Sequence, residues 1–164
     1  MIIREFLPRD EETMVDLFLE EVDESYISHG EMQMGLSCDG VSYLPDFKEK
    51  WREYFARQVR DPQISVLIAE DNGEMIALAI FGIESDFDKP YGVLYDFMVA
   101  NKHRGQKVAE PLFNKICESF DKQNIDEMYF ESGSNCHRAH TFYTRRGAKH
   151  ISNIYKIEDL KRFV

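Results

Sequence analysis

Apolar and polar positions change period several times along this chain, and each change predicts an element. MIIREF reads as a first strand. From Asp10 to Ser28, Met14, Leu17, Phe18, Val22 and Tyr26 recur at helical spacing with acids between them, which predicts an amphipathic helix. Ser28 to Pro45 carries Gly30, Gly35 and Gly40 and no period, so it reads as an irregular connection, mobile or functional at this length. A second helix fits Asp46 to Arg60, with Phe47, Trp51, Tyr54 and Phe55 on its apolar face. Asp46 followed by Glu49 resembles a capping pair there, and Asp61-Pro62 ends the helix. ISVLIAE, EMIALAIFGI and YGVLYDFMVA then read as three strands. Asp71-Asn72-Gly73 is a hairpin turn between the first two, and ESDFDKP is a loop before the third.

Val108 to Gln123 returns to helical spacing, with Leu112, Ile116 and Phe120 on one face. IDEMYFES is the next strand, and the single-helix crossover before it predicts a parallel, right-handed pairing with YGVLYDFMVA. SNCHRAHTFYTRRGA reads as a helix ended by Gly147, and KHISNIYKI as a last strand. The expected order is β-α-α-β-β-β-α-β-α-β, an α/β chain with a mixed sheet and helices on its faces.

Composition narrows the picture. The 164 residues, 43% of them apolar, suit one domain spanning 1–164 with a real core. No apolar run has membrane-spanning length, and the charged start is unlike a secretory signal. Cys38, Cys117 and Cys136 are scattered, which suits reduced thiols in a cytoplasmic protein. A net charge of −10 argues against nucleic acid and anionic membranes as partners. The eight carboxylates from Asp10 to Glu24, with no Lys or Arg among them, read as a solvated helix face or as a rim favouring a basic substrate.

Two stretches carry candidate chemistry. In VANKHRGQKVAEPLF, a strand runs into a basic turn at a helix start, where unpaired amides and the helix dipole suit a phosphate. Gly105 permits close backbone approach, and Arg104 and Lys107 add positive charge. In SNCHRAHTFYTRRG, Asn135, Ala139, Phe142, Tyr143 and Arg146 fall along one side of a helix. Cys136, His137 and His140 cluster there, but no further metal ligand is evident nearby.

Taken together, these stretches resemble the GNAT superfamily of N-acetyltransferases, most clearly from Ile64 to Gly147. Val99, Arg104, Gly105 and Ala109 match the acetyl-CoA motif, and Asn135, Ala139, Phe142-Tyr143 and Gly147 match the later one. Lys107 stands where the family usually has glycine, Pro111 lies near the first helical turn, and Ala148 replaces a common phenylalanine. A lysine forced to positive φ costs on the order of 1 kcal/mol.

The resemblance implies a mainly antiparallel mixed sheet with a splayed parallel pair. It also implies transfer of an acetyl group from acetyl-CoA to a small-molecule or peptidyl amine. Met98 and Val99 would bind the pantetheine arm, and amides of Arg104, Gly105, Gln106, Lys107, Val108 and Ala109 the pyrophosphate. Asn135 would orient the arm or a water, and Tyr143 would protonate the leaving thiolate. Asp96 and Glu131, on the central strands, are the candidate bases for an ammonium of pKa near 10. Alternatives are an acyl-CoA-binding module without turnover and an α/β protein with no cofactor. Apolar residues of the last strand, if exposed, would serve a homodimer.

Overall fold

The computed structural model describes residues 1–85 and 89–163. Strands β1 (Ile2–Glu5), β2 (Ile64–Asp71), β3 (Glu74–Glu84), β4 (Tyr91–Val99) and β5 (Met128–Tyr129) form a sheet in that order. Neighbours are antiparallel except β4 and β5, which are parallel as the crossover required. Asn72 and Gly73, at φ 50° and 81°, make the β2–β3 hairpin with the left-handed turn its sequence called for.

Helices α1 (Glu11–Glu21), α2 (His29–Gln33), α3 (Phe47–Gln58), α4 (Ala109–Asp121) and α5 (His137–Thr144) complete the described regular structure, with short 3-10 turns. On one face of the sheet, Met14 and Phe18 of α1 and Trp51 and Phe55 of α3 bury against Ile68, Leu78 and Ile80. Burying each such side chain is worth roughly 1.5–3 kcal/mol. On the other face, Leu112, Ile116 and Phe120 of α4 cover Ala77, Ala79 and Phe81. A Cβ on Gly92 would lie 2.6 Å from the Phe120 ring, so only glycine lets the start of β4 seat under α4.

Two irregularities shape the middle of the molecule. In the β3–β4 register, Ile80 faces Asp96 and Phe81 faces Leu94, leaving Tyr95 as the extra residue of a bulge. The bulge turns the consecutive Tyr95 and Asp96 toward the α1–α3 layer. The β4–β5 pairing is limited to Gly92 with Met128 and Val93 with Tyr129, beyond which the strands part. Beyond β5, the chain is held elsewhere: a Cβ on Gly133 would lie 2.1 Å from the Ser25 carbonyl oxygen and 2.7 Å from that of Ile27.

Several sequence expectations are corrected. The first helix stops at Glu21 rather than Ser28: Val22 turns extended, and the Asp23 carboxylate caps a separate turn through the Ser25 amide. Asp46 makes no capping bond. Its carboxylate is committed to Lys50, 3.0 Å away. The Ser28–Pro45 connection contains α2, begun by the Glu31 carboxylate accepting from the Ser28 amide at 2.6 Å. IDEMYFES contracts to the two residues of β5. KHISNIYKI is not a strand. Ile151, Ile154, Tyr155 and Ile157 are all exposed, and β5 offers an edge of only two residues, too short to pair with them. The ESDFDKP loop includes 86–88, which lie outside the described residues.

Candidate active site

The turn after β4 is braced from inside. Arg104 points back into the protein: Nε donates to the Val99 carbonyl at 2.8 Å, Nη1 to Asn101 at 3.0 Å, and Nη2 pairs with Glu21 of α1 at 3.4 Å. Its guanidinium therefore shapes the turn. Gly105 and Lys107 both take positive φ, 80° and 62°. The Arg104 and Gln106 amides donate to Asn101 and His103. Those of Gly105, Lys107, Val108 and Ala109 have no acceptor among the described residues. Helix α4 opens at Ala109 with Pro111 as its third residue, where an amide has no intrahelical partner, so the proline costs little. The outcome is a left-handed turn that leaves a row of free N–H groups at a helix start, the arrangement an anion needs. Nothing lies within 4 Å of where a Gly105 Cβ would sit, so this face of the turn is open.

Asp96 sits deep beneath the opening between β4 and β5. It is 2% exposed and accepts hydrogen bonds from Tyr26 Oη at 3.0 Å and Tyr54 Oη at 3.2 Å. Burial pushes its carboxyl up to about 7, with the nearby Glu31 charge adding to the rise and the two tyrosine hydroxyls opposing it. Burial and the Asp96 charge push the Tyr26 hydroxyl well above the usual phenol range. Tyr54 shifts the same way for the same reasons. The sequence pattern presents both tyrosines as apolar helix-face aromatics, not as polar partners. Their hydroxyls were the only signal, and nothing in their spacing ties them to residue 96.

Tyr143 lies among Phe130, Phe142, Phe113 and Phe97, its ring 4.4 Å from that of Phe130. Its hydroxyl has no hydrogen-bond partner among the described residues, and burial raises its pKa well above the ordinary value. Arg146 lies 3.7 Å over the Phe142 ring and pairs with Glu110 of α4, tying the end of α5 to the helix after the turn. Asn135 is exposed at the cleft before α5. His137 and His140 have ring centroids 6.0 Å apart, and among the described residues no group of three or more ligands could hold a metal ion.

Glu131, just beyond β5, is occupied. It accepts from the Gly30 amide at 3.1 Å and pairs with His29 Nδ1 at 3.2 Å, beside Ser28 Oγ, whose one proton sits closer to Glu31 at 2.6 Å. Both of its oxygens thus serve α2.

These groups share a cleft of about 1310 Å³. Met98, Val99, the turn from Arg104 to Ala109 (Gln106 excepted), Asn135 and Tyr143 all line it. Its lining mixes acids, Glu21, Asp23, Glu31, Asp96, Glu110 and Glu131, with bases, Arg104, Lys107, Arg138, Arg145 and Arg146. The tail contributes Ile151 and Ile154. Among the described residues no helix is long and apolar enough to cross a membrane.

A model of the acetyltransferase (GNAT) family matches residues 32–148. No curated protein matches the chain in sequence. Among solved structures, an aminoglycoside 6'-N-acetyltransferase from Acinetobacter haemolyticus is 13% identical, with a TM-score of 0.72 over 97% of this chain and 98% of that one. A ribosomal-protein-alanine N-acetyltransferase from Brucella melitensis is 17% identical, with a TM-score of 0.67 over 97% and 100%. A predicted acetyltransferase from Clostridium acetobutylicum, solved with acetyl-CoA, is 14% identical, with a TM-score of 0.69 over 98% and 97%. At these identities the likeness is one of fold.

Proposed function

The chain belongs to the GNAT acetyltransferase family, and from that premise we propose that it transfers an acetyl group from acetyl-CoA to a primary amine on a basic acceptor. The observation that carries this reading is one cleft joining the free amides of the β4–α4 turn to a buried carboxyl that titrates near neutrality. The amides of Gly105, Lys107, Val108 and Ala109 fit a pyrophosphate, and the Lys107 ammonium stands beside them. Met98 and Val99, where β4 has parted from β5, would flank the pantetheine arm, with Asn135 opposite. Acetyl-CoA supplies the activated thioester; the chain supplies position and proton transfer.

Asp96 is the proton acceptor in this reading. An alkylammonium cannot attack until it loses a proton, and a carboxylate with a pKa near 7 is a far better base than an ordinary aspartate. Glu131, the other candidate, is exposed and engaged with α2, whereas Asp96 is buried and driven toward neutrality, so we assign the proton to Asp96. Tyr143, like any phenol, is protonated throughout the neutral range, and burial only strengthens this, so it holds a proton at Oη for the departing sulfur. Glu31 lies close enough to raise the Asp96 carboxyl, and these two acids at the acceptor end favour a cationic amine.

The test pairs calorimetry with turnover. Acetyl-CoA should bind, and release of CoA thiol should follow on adding one of three probes: an aliphatic polyamine, an aminoglycoside or a lysine-containing peptide. Binding without thiol release across the panel would favour an acyl-CoA-binding module. Absence of binding at millimolar acetyl-CoA would overturn the cofactor assignment.

A further inference from the structure

Resting on the reading of Asp96 as proton acceptor, we propose that Glu131 and Gly133 are positioning residues. They clamp the Ser25–Gly30 segment to the end of β5 and thereby hold the Tyr26 hydroxyl on Asp96.

The clamp has two independent parts. Glu131 grips the start of α2 through His29 Nδ1 and the Gly30 amide. Two residues on, Gly133 seats directly on the chain at Ser25–Ile27: any Cβ would intrude to 2.1 Å from the Ser25 carbonyl oxygen and 2.9 Å from the Tyr26 carbonyl carbon. These are backbone contacts, so a side chain at 133 cannot be accommodated by a rotamer change; the segment itself must move.

Tyr26 lies between the two gripped points. It belongs to a three-residue turn after α1 has ended, so no long helix fixes it. Its ring packs edge-on against Phe18 and Trp51, 5.3 and 6.4 Å between centroids, so ring packing and backbone position together set the reach of its hydroxyl to Asp96. That reach, 3.0 Å to Oδ1, depends on where the Ser25–Ile27 backbone sits. Tyr54 reaches the other oxygen from α3, whose own anchors in the core are Trp51 and Phe55. The clamp therefore governs one of the two hydroxyl donors to Asp96.

The groups facing Asp96 are Tyr26, Tyr54 of α3, Glu31 of α2, Tyr43 and Tyr143 of α5. A hydrogen bond to a carboxylate stabilises its ionised form, so losing the Tyr26 donor must raise the pH at which Asp96 ionises. Deleting the Glu131 charge without disturbing Tyr26 could only lower that pH or leave it unchanged, because removing a negative charge never favours the neutral carboxyl. The sign of the change thus separates positioning from simple electrostatics.

The experiment is a pH titration of the Asp96 side-chain carboxyl carbon by NMR, in the full chain labelled with 13C-aspartate. Wild type would be compared with Tyr26→Phe, Glu131→Ala and Gly133→Ala. Tyr26→Phe should move the midpoint upward by about one pH unit. Glu131→Ala and Gly133→Ala should move it the same way by a measurable part of that. An unmoved or lowered midpoint in Glu131→Ala, whatever its melting temperature, overturns the clamp, as does an unmoved midpoint in Tyr26→Phe. If Gly133→Ala does not fold, the exposed Glu131 position decides alone. The titration needs neither acetyl-CoA nor acceptor. A failed base assignment would instead show as full turnover in Asp96→Asn, so the two failures are distinguishable.

Discussion

The turn from Val99 to Ala109 and the group around Asp96 line the same cleft and are built in opposite ways. The turn presents backbone: its open amides come from Gly105, Lys107, Val108 and Ala109, within five consecutive residues. The Asp96 group presents side chains drawn from across the chain: Tyr26 is 70 residues from Asp96, and Tyr54 is 42. A backbone site tolerates exchange of side chains so long as φ and ψ survive. A side-chain site has no such reserve, because each oxygen and hydroxyl is individually placed.

The largest expected effect tests the side-chain half. Asp96→Asn keeps the volume and an acceptor for one tyrosine but removes the base. Turnover of whichever amine proves a substrate should fall by roughly 10²–10⁴, with acetyl-CoA affinity nearly unchanged, as thiol release and calorimetry would show. Unchanged turnover would leave the two halves of the cleft no longer distinct in role. Tyr143→Phe should follow, losing about 10- to 100-fold in turnover at similar acetyl-CoA affinity, since the ring packing stays and only the proton source goes.

The same carboxyl should leave a mark on stability. Its pKa rises on folding from 3.8 to about 7, so the neutral form is the one the fold favours. Its contribution is present in full below about pH 4 and is lost as the pH rises through about 7; an upper bound is roughly 4 kcal/mol. Between pH 4.5 and 8 the melting temperature of wild type should therefore fall relative to that of Asp96→Asn, whose amide does not titrate. Parallel melting curves across that range would show that Asp96 is not driven toward neutrality by burial.

This contrast also explains what could be read from the sequence. The hairpin at Asn72-Gly73, the three long strands and the α4 crossover follow from local pattern, and so does the turn, whose motif is contiguous. The bulge at Tyr95 is invisible to pattern, yet it decides that Asp96 faces α1 and α3. Tyr26 read as the end of a long helix because nothing local marks the break at Val22; the break is stabilised by Asp23 and by the distant seat on Gly133. The tail misled in the other direction. Its β-branched residues have strand propensity, but propensity without a partner edge makes no strand.

Gly105→Val probes the backbone half. No atom lies near the added side chain, so any effect is conformational: a β-branched residue at φ 80° costs about 1–2 kcal/mol, and the turn should relax away from it. Acetyl-CoA affinity should weaken by about tenfold by calorimetry, with the Asp96 titration untouched. A shifted Asp96 midpoint would mean that the two halves communicate, and the Arg104–Glu21 pair between the turn and α1 is the contact through which they would do so.

Lys107→Gly is the smallest and most discriminating change. At φ 62° the lysine bears on the order of 1 kcal/mol of strain that glycine would not. Glycine gives most of that back through the entropy of its unfolded chain, roughly 0.5–1 kcal/mol, so the melting temperature should barely move. Binding then isolates the side chain. If the turn works through its amides, acetyl-CoA affinity should drop by no more than about fivefold, the scale of one exposed ammonium near a phosphate in physiological salt, and the drop should vanish as salt is raised. A loss well beyond tenfold that persists at high salt would place the Lys107 ammonium in the binding site proper, and the turn would then depend on a side chain as much as Asp96 depends on Tyr26.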